Sequence, residues 1–357
     1  MLNFHSFRVI IPNLLGQRFV EQKNKRGDRE VYNVHRILQA RLLKDLNSKP
    51  QKRDEIFRHA YDLVRFHLPR PSLDTPKAAE WNEFKEYLPH VLSLQKAYGD
   101  PLSITTPTPF LGLAELFKDG GVLLWQRYIH VDALRLLNSA EKILDELEIE
   151  EENLRAEINI TINLLLQYSG ISKRKESKDR LARILEYRKR IVKKKAPQDV
   201  TRDDEILLNN AFADYANALL QFNDYVSAEP IYQTCYNKYR ELGTDTDPTD
   251  AFAIAKLHHH MAYCRMYRRD FKRAIELAEK AVAIISQLGD RQITLRYQYD
   301  LACIILQSGD KDRALALHRE ILEARLGFQG RANYFSLQSQ YAYAAMCHYV
   351  GRLDEAE

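Results

Sequence analysis

Three consecutive histidines, His258-His259-His260, are the densest cluster of potential metal ligands in the chain. A zinc centre would need such side chains to converge on one tetrahedral point. In a helix, successive side chains point about 100° apart, so these three cannot meet on one ion. His259 is expected to face a groove and its neighbours to lie toward adjacent helices. Cys235, Cys264, Cys303 and Cys347 contain no C-x-x-C pair and read as buried free thiols. The chain has no G-x-S-x-G elbow, H-E-x-x-H helix or G-x-x-x-x-G-K-[ST] loop. The residue sets for nucleophilic hydrolysis, zinc hydrolysis and phosphate cradling are therefore missing. The expectation is a non-enzyme with no catalytic residues, no metal and no cofactor.

Charge offers a different chemistry. The net charge is +4, yet residues 168–200 alone hold twelve Lys or Arg against four Asp or Glu. Lys173-Arg174-Lys175, Arg188-Lys189-Arg190 and Lys193-Lys194-Lys195 read either as a phosphate-contacting or nuclear-import patch or as a solvated helix followed by a loose loop, Lys193–Asp204. Tyr168 and Tyr187 are the only interleaved aromatics, which argues against base stacking. With 45% hydrophobic and 29% charged residues, the composition is that of an ordinary globular chain. Its longest apolar runs fall far short of the roughly 20 residues that span a bilayer. The amino terminus lacks the features of a signal peptide. A cytoplasmic location is expected, or a nuclear one through the basic segment.

The elements that carry these residues follow from a repeated turn. Helix ends give way to new helices at Asn223–Ala228, Arg269–Ala274, Gly309–Ala314 and Gly351–Ala356, and the closing alanines lie 46, 40 and 42 residues apart. Such a period marks stacked helix pairs. Ala133 follows an equivalent turn, and Leu136, Leu137, Ala140 and Leu144 line one face of its helix. A weaker unit pairs Ile158–Tyr168 with Leu181–Val192 across a loop lengthened by Ser169–Ser177. Upstream, helices are expected over 51–67 (Ile56, Ala60, Leu63 and Val64 inward) and 76–98 (Trp81, Phe84, Leu88 and Leu92 inward), the second kinked at Pro89. Before them, Arg8–Ile11 and Val31–Val34 read as two strands and His35–Leu46 as a helix, the back half of a winged helix. The division is 1–46 partial winged helix, 47–109 two-helix connector and 110–357 array of about six helix pairs. The last pair stops one turn into its second helix, so the sequence reads as cut there, and at the amino end as well.

These pairs resemble the tetratricopeptide repeat. Ala262, Ala302 and Ala344 match its small residue on the first helix, and Ala274, Ala314 and Ala356 its alanine on the second. Tyr225 and Phe271 match an aromatic three residues earlier, while Lys311 and Leu353 depart from it. Ala281 matches a later small position that Ile321 does not. Phe212, His258 and Gln298 replace the family's tryptophan. The long period is similar to that of kinesin light chains and fungal signalling ATPases. Val31-Tyr32-Asn33-Val34-His35-Arg36-Ile37-Leu38-Gln39 resembles the strand-to-helix junction of NB-ARC or NACHT proteins. Trp81-Asn82-Glu83-Phe84, Tyr87–Val91 and Phe117–Gly121 resemble the segments that follow it in fungal members. The resemblance implies an all-α, right-handed superhelix (an α-solenoid). It also implies a nucleotide-sensing histidine at His35, whose role needs a longer parent because nothing here cradles phosphates.

In this family the first helix of each pair lines the concave face. Family positions place Asn210, Asn217 and Gln221 there, then Lys256, His259, Tyr263 and Tyr267, then Arg296, Tyr299 and Gln307, and finally Gln338, Tyr341 and Tyr349. Tyrosine and arginine are enriched among interface anchors, although tyrosines also pack between helices. The implied partner is a protein or extended peptide, with no membrane contact. The resemblance implies the sensing region of a nucleotide-switched signalling protein. A free-standing scaffold similar to a kinesin light chain is the alternative, and a nucleic-acid-binding regulator using Lys193, Lys194 and Lys195 is the third reading.

Overall fold

The structure is a computed structural model of the 357-residue chain. It describes residues 14–17, 20–26, 29–68, 70–71, 78–99, 106–127, 129–148, 151–166, 171–243 and 250–356. Near the amino terminus, strand β1 (Val20–Arg26) pairs antiparallel with β2 (Arg29–Val34), Val20 opposite Val34. The strand facing β2 is thus a polar stretch that was not expected as a strand, while the expected strand Arg8–Ile11 lies outside the described residues. An antiparallel ribbon with a solvated face accepts polar side chains because its ladder bonds come from the backbone; Glu21 and Gln22 are exposed on it.

Helix α1 (Arg36–Asn47) starts at His35, whose backbone is extended and whose Nδ1 accepts the Ile37 N–H at 3.3 Å. His35 is therefore the N-cap of α1, satisfying one of the amides a helix start leaves open. No residue of α1 is buried. Helices α2 (Pro50–His67) and α3 (Ala78–Tyr98) follow. On α2 the inward face differs from expectation. Ile56 and Leu63 are exposed, whereas Val64 is buried as expected and is joined by Phe57 and, just past the helix end, Leu68. These three recur at helical spacing, and Tyr61 on the same side meets the Phe110 ring edge-on at 4.8 Å. On α3, Phe84, Val91, Leu94 and Tyr98 are buried; Leu88 and Leu92 are half-buried, and Pro89 lies inside the helix.

Eleven further helices stack in sequence among the described residues. They form the pairs α4 (Leu111–Gln126) with α5 (His130–Leu147), α6 (Glu152–Leu166) with α7 (Ile171–Lys194), and α8 (Arg202–Gln221) with α9 (Tyr225–Glu241). Then come α10 (Ala251–Tyr267) with α11 (Phe271–Gln287), and α12 (Arg291–Ser308) with α13 (Lys311–Gln329). Helix α14 (Tyr334–Val350) ends in a 3-10 turn at Leu353–Glu355. Each helix packs on the next, giving an α-solenoid. Ala133, Ala228, Ala274 and Ala314 are fully buried where the turns deliver them. Gly120 and Gly121 serve the same purpose on α4. A Cβ at Gly121 would lie 2.6 Å from Leu137 Cγ, so α4 and α5 cross closely only because it is missing.

The basic segment is more helical than expected. Residues 171–177, read as loop, begin α7, where Glu176 pairs with Lys173 at 3.1 Å and Arg180 at 3.2 Å, the three- and four-residue spacings that support a helix. The expected loose loop also shrinks. Pro197–Asp199 form a 3-10 turn, and Thr201 with Asp204 closes a capping box at the start of α8.

Candidate functional site

The first helices of the successive pairs stand side by side and enclose a groove of about 1070 Å³. Every one of α4, α6, α8, α10, α12 and α14 lines it, from Lys118 and Trp125 on α4 to Tyr334 and Gln338 on α14. The array curves far enough to touch itself. Arg127, at the end of α4, donates to Gln292 Oε1 at 3.1 Å and approaches Asp290 to 4.0 Å, at the turn into α12. His130 beside it feels the charge of Arg296; burial first, then that cation, lowers its pKa.

Of the expected groove residues, Asn210, Asn217, Gln221, Lys256, His259, Tyr263, Tyr267, Arg296, Tyr299 and Gln338 all line this groove. Gln307, Tyr341 and Tyr349 are not in its lining. Only the start of α14 reaches the groove, and Tyr341 and Tyr349 lie exposed, with Lys311 4.2 Å above the Tyr349 ring. His35 and Lys193–Lys195 are also remote from the lining. Lys193 and Lys194 sit in the last turn of α7, where cations oppose the helix dipole, and Lys195 pairs with Asp204 at 2.5 Å.

The histidine run splays as helical geometry requires. His258 packs against Tyr236 and His260 stacks on Tyr232, while His259 Nε2 lies 2.9 Å from Asp300 Oδ2. Among the described residues no three His, Cys, Asp or Glu side chains are placed to hold a metal ion. Burial drives the His260 pKa well below its usual value, and the charges of His259, Lys256 and Arg296 add to the effect. Burial pushes the Asp300 carboxyl up, but hydrogen bonds from His259 and Tyr263 and the nearby positive charge prevail, holding it below the usual value. Lys256 Nζ meets Asp214 at 2.7 Å, and Lys118 meets Glu157 at 2.9 Å. Burial raises the thiols of Cys235, Cys264 and Cys303 to about 12, so they stay protonated and inert.

Three arginines that family positions do not indicate also line the groove: Arg174 and Arg188 of α7, and Arg325 of α13. Arg325 is buried and donates to Phe335 O at 3.0 Å and Ser339 Oγ at 2.8 Å, with the Tyr299 and Phe335 rings beside its guanidinium. Arg188 is buried, 6% exposed, and donates to Asn153 Oδ1 at 2.7 Å. Arg174 reaches the Gln221 carbonyl at 3.4 Å. For Arg174 and Arg188 the signal was present as basic clusters, but only the phase of α7 shows which of those cations turn inward.

Comparison with known proteins agrees with this architecture. The tetratricopeptide repeat family matches residues 253–326, spanning α10 to α13. No curated protein sequence matches the chain. Among solved structures, a Rap protein complexed with Competence and Sporulation Factor aligns at 13% identity over 90% of this chain and 94% of that one, with a TM-score of 0.53. NprR in complex with its cognate peptide NprX aligns at 14% identity over 97% and 89%, with a TM-score of 0.51. A signal-transduction ATPase with numerous domains and a tetratricopeptide repeat sensor, from Pyrococcus horikoshii, aligns at 12% identity over 87% of this chain and 40% of that one, with a TM-score of 0.43.

Proposed function

We propose that this chain is a protein-interaction module whose groove takes up an extended peptide segment of a partner, and that it serves as the sensing arm of an NB-ARC or NACHT-type signalling protein in the cytoplasm. The observation that carries the first part is the groove itself: one continuous surface drawn from six successive first helices, with tyrosines and arginines along it. Such a surface suits a partner held along its length by a few anchors. That NprR is similar in fold and has a cognate peptide supports the same reading. The second part rests on the junction at His35 and on α1. Ile37, Leu42 and Leu43 of α1 are exposed apolar residues of the kind an adjoining nucleotide-binding domain would cover.

The test of peptide docking is selection of a random 12-residue display library on the chain, followed by calorimetry with the winning peptides. Replacing Tyr263, Arg296 and Tyr299 by alanine together is expected to weaken binding by about 3–6 kcal/mol, as loss of interface anchors does. Peptides that bind the triple variant as tightly as the parent would place the docking surface elsewhere. The signalling role predicts a P-loop encoded upstream of residue 1; a promoter at that place would favour the scaffold reading.

A further inference from the structure

The groove is charged unevenly. Lys118, Arg174, Arg188, Lys256, Arg296 and Arg325 line it against three carboxylates, Glu157, Asp214 and Asp300, a surplus of three cations. Each carboxylate is already engaged. Glu157 meets Lys118, Asp214 meets Lys256, and Asp300 lies against His259 with the charge of Arg296 close by. Among the described residues Arg174 and Arg188 hydrogen-bond only to neutral acceptors, the Gln221 carbonyl and the Asn153 amide oxygen. Arg174 Nε is buried with no acceptor among the described residues. A guanidinium removed from water without a counter-charge is unfavourably placed, and a carboxylate arriving beside it relieves that cost through charge-assisted, two-pronged bonding.

Resting on the peptide-docking reading, we infer that the groove selects an acidic extended peptide, with carboxylates seated on Arg174 and Arg188. These arginines are fourteen residues apart on one face of α7, roughly 21 Å along the axis at about 1.5 Å per residue. An extended chain advances about 3.3 Å per residue, so at least about six residues are needed to reach both. A small anion cannot do so. A nucleic acid fits less well, because it carries a charge at every phosphate and would meet Glu157, Asp214 and Asp300 in the same groove.

The random 12-residue library tests this directly. The expected winners are net acidic, carry carboxylates about six residues apart and lose affinity as salt rises. A synthetic winner should bind Arg174→Gln and Arg188→Gln at least tenfold more weakly, retain most of its affinity for Arg188→Lys, and be indifferent to Lys193→Gln with Lys194→Gln. Circular dichroism reports whether Arg188→Gln still folds; if it does not, Arg174→Gln on the less buried site decides. Neutral or basic winners that still depend on Tyr263 would overturn acidic selection and leave peptide docking intact. No winner dependent on Tyr263 would overturn both. A 12-nucleotide single strand that outcompetes the acidic peptide, and is lost on Arg188→Gln, would replace the peptide with nucleic acid.

Discussion

His258 and His318 illustrate how single buried residues set the chemistry of the stack. Each is enclosed between helices, each has an Nδ1 with no hydrogen-bond partner among the described residues, and burial first, then a neighbouring Lys280 or Arg325, lowers each pKa to about 4. An unfolded histidine titrates near 6.5. Below that pH the unfolded chain gains protons that the folded chain refuses, so stability is full above about 6.5 and declines as pH falls toward 4. Each histidine contributes about 3 kcal/mol across that window. Thermal melts should show the midpoint dropping between pH 6.5 and 4, with a shallower drop in His318→Gln. A flat profile would mean that both rings take up protons in the fold. The run at 258–260 suggested a metal site only as a string of letters; the helical twist that separates the three rings was legible beforehand, but their aromatic partners Tyr236 and Tyr232 come from another helix and were not.

At the scale of elements, the turns between paired helices share one construction. Asn223, Arg269, Gly309 and Gly351 all have positive φ, and each stands just before the residue that caps the next helix. Glycine adopts this geometry without strain, whereas a side chain at Arg269 does so at a cost of about 1 kcal/mol. Arg269→Gly is therefore expected to leave stability unchanged or raise it by up to about 1 kcal/mol, measured by urea unfolding, despite losing a charge. A clear destabilisation would show that the Arg269 side chain contributes contacts that outweigh the strain. The recurring alanines made these turns legible, because a small residue at a fixed step after a turn has one packing solution. The face of α2 was less legible: Ile56 and Phe57 are adjacent apolar residues, and only Phe110 and its neighbours decide which points inward. The inward arginines of α7 were hidden for a related reason. Its phase is set by Leu181, Ile184 and Leu185 packing against α6 and α8; Arg188 falls within the helix expected over 181–192, but reading 169–177 as loop left Arg174 outside it.

For the whole molecule, the decisive contact is the one that reaches across the groove from α4 to α12. Arg127 at the end of α4 meets Gln292 and Asp290 at the start of α12 and turns an open concavity into a partly closed channel. Arg127→Ala is expected to relax the curvature and enlarge the radius of gyration in small-angle X-ray scattering, and to speed dissociation of a bound peptide. An unchanged scattering profile would assign closure to the rest of the stack. A helical array of this type is normally a set of neighbours, in which each pair senses only the next and unfolding can start at either end. Here two turns 165 residues apart in sequence touch. They can meet only after three intervening pairs have stacked with the correct curvature, so the contact forms after those pairs. It gives an otherwise local fold one long-range step, slow to complete and sensitive to an error in any pair it encircles.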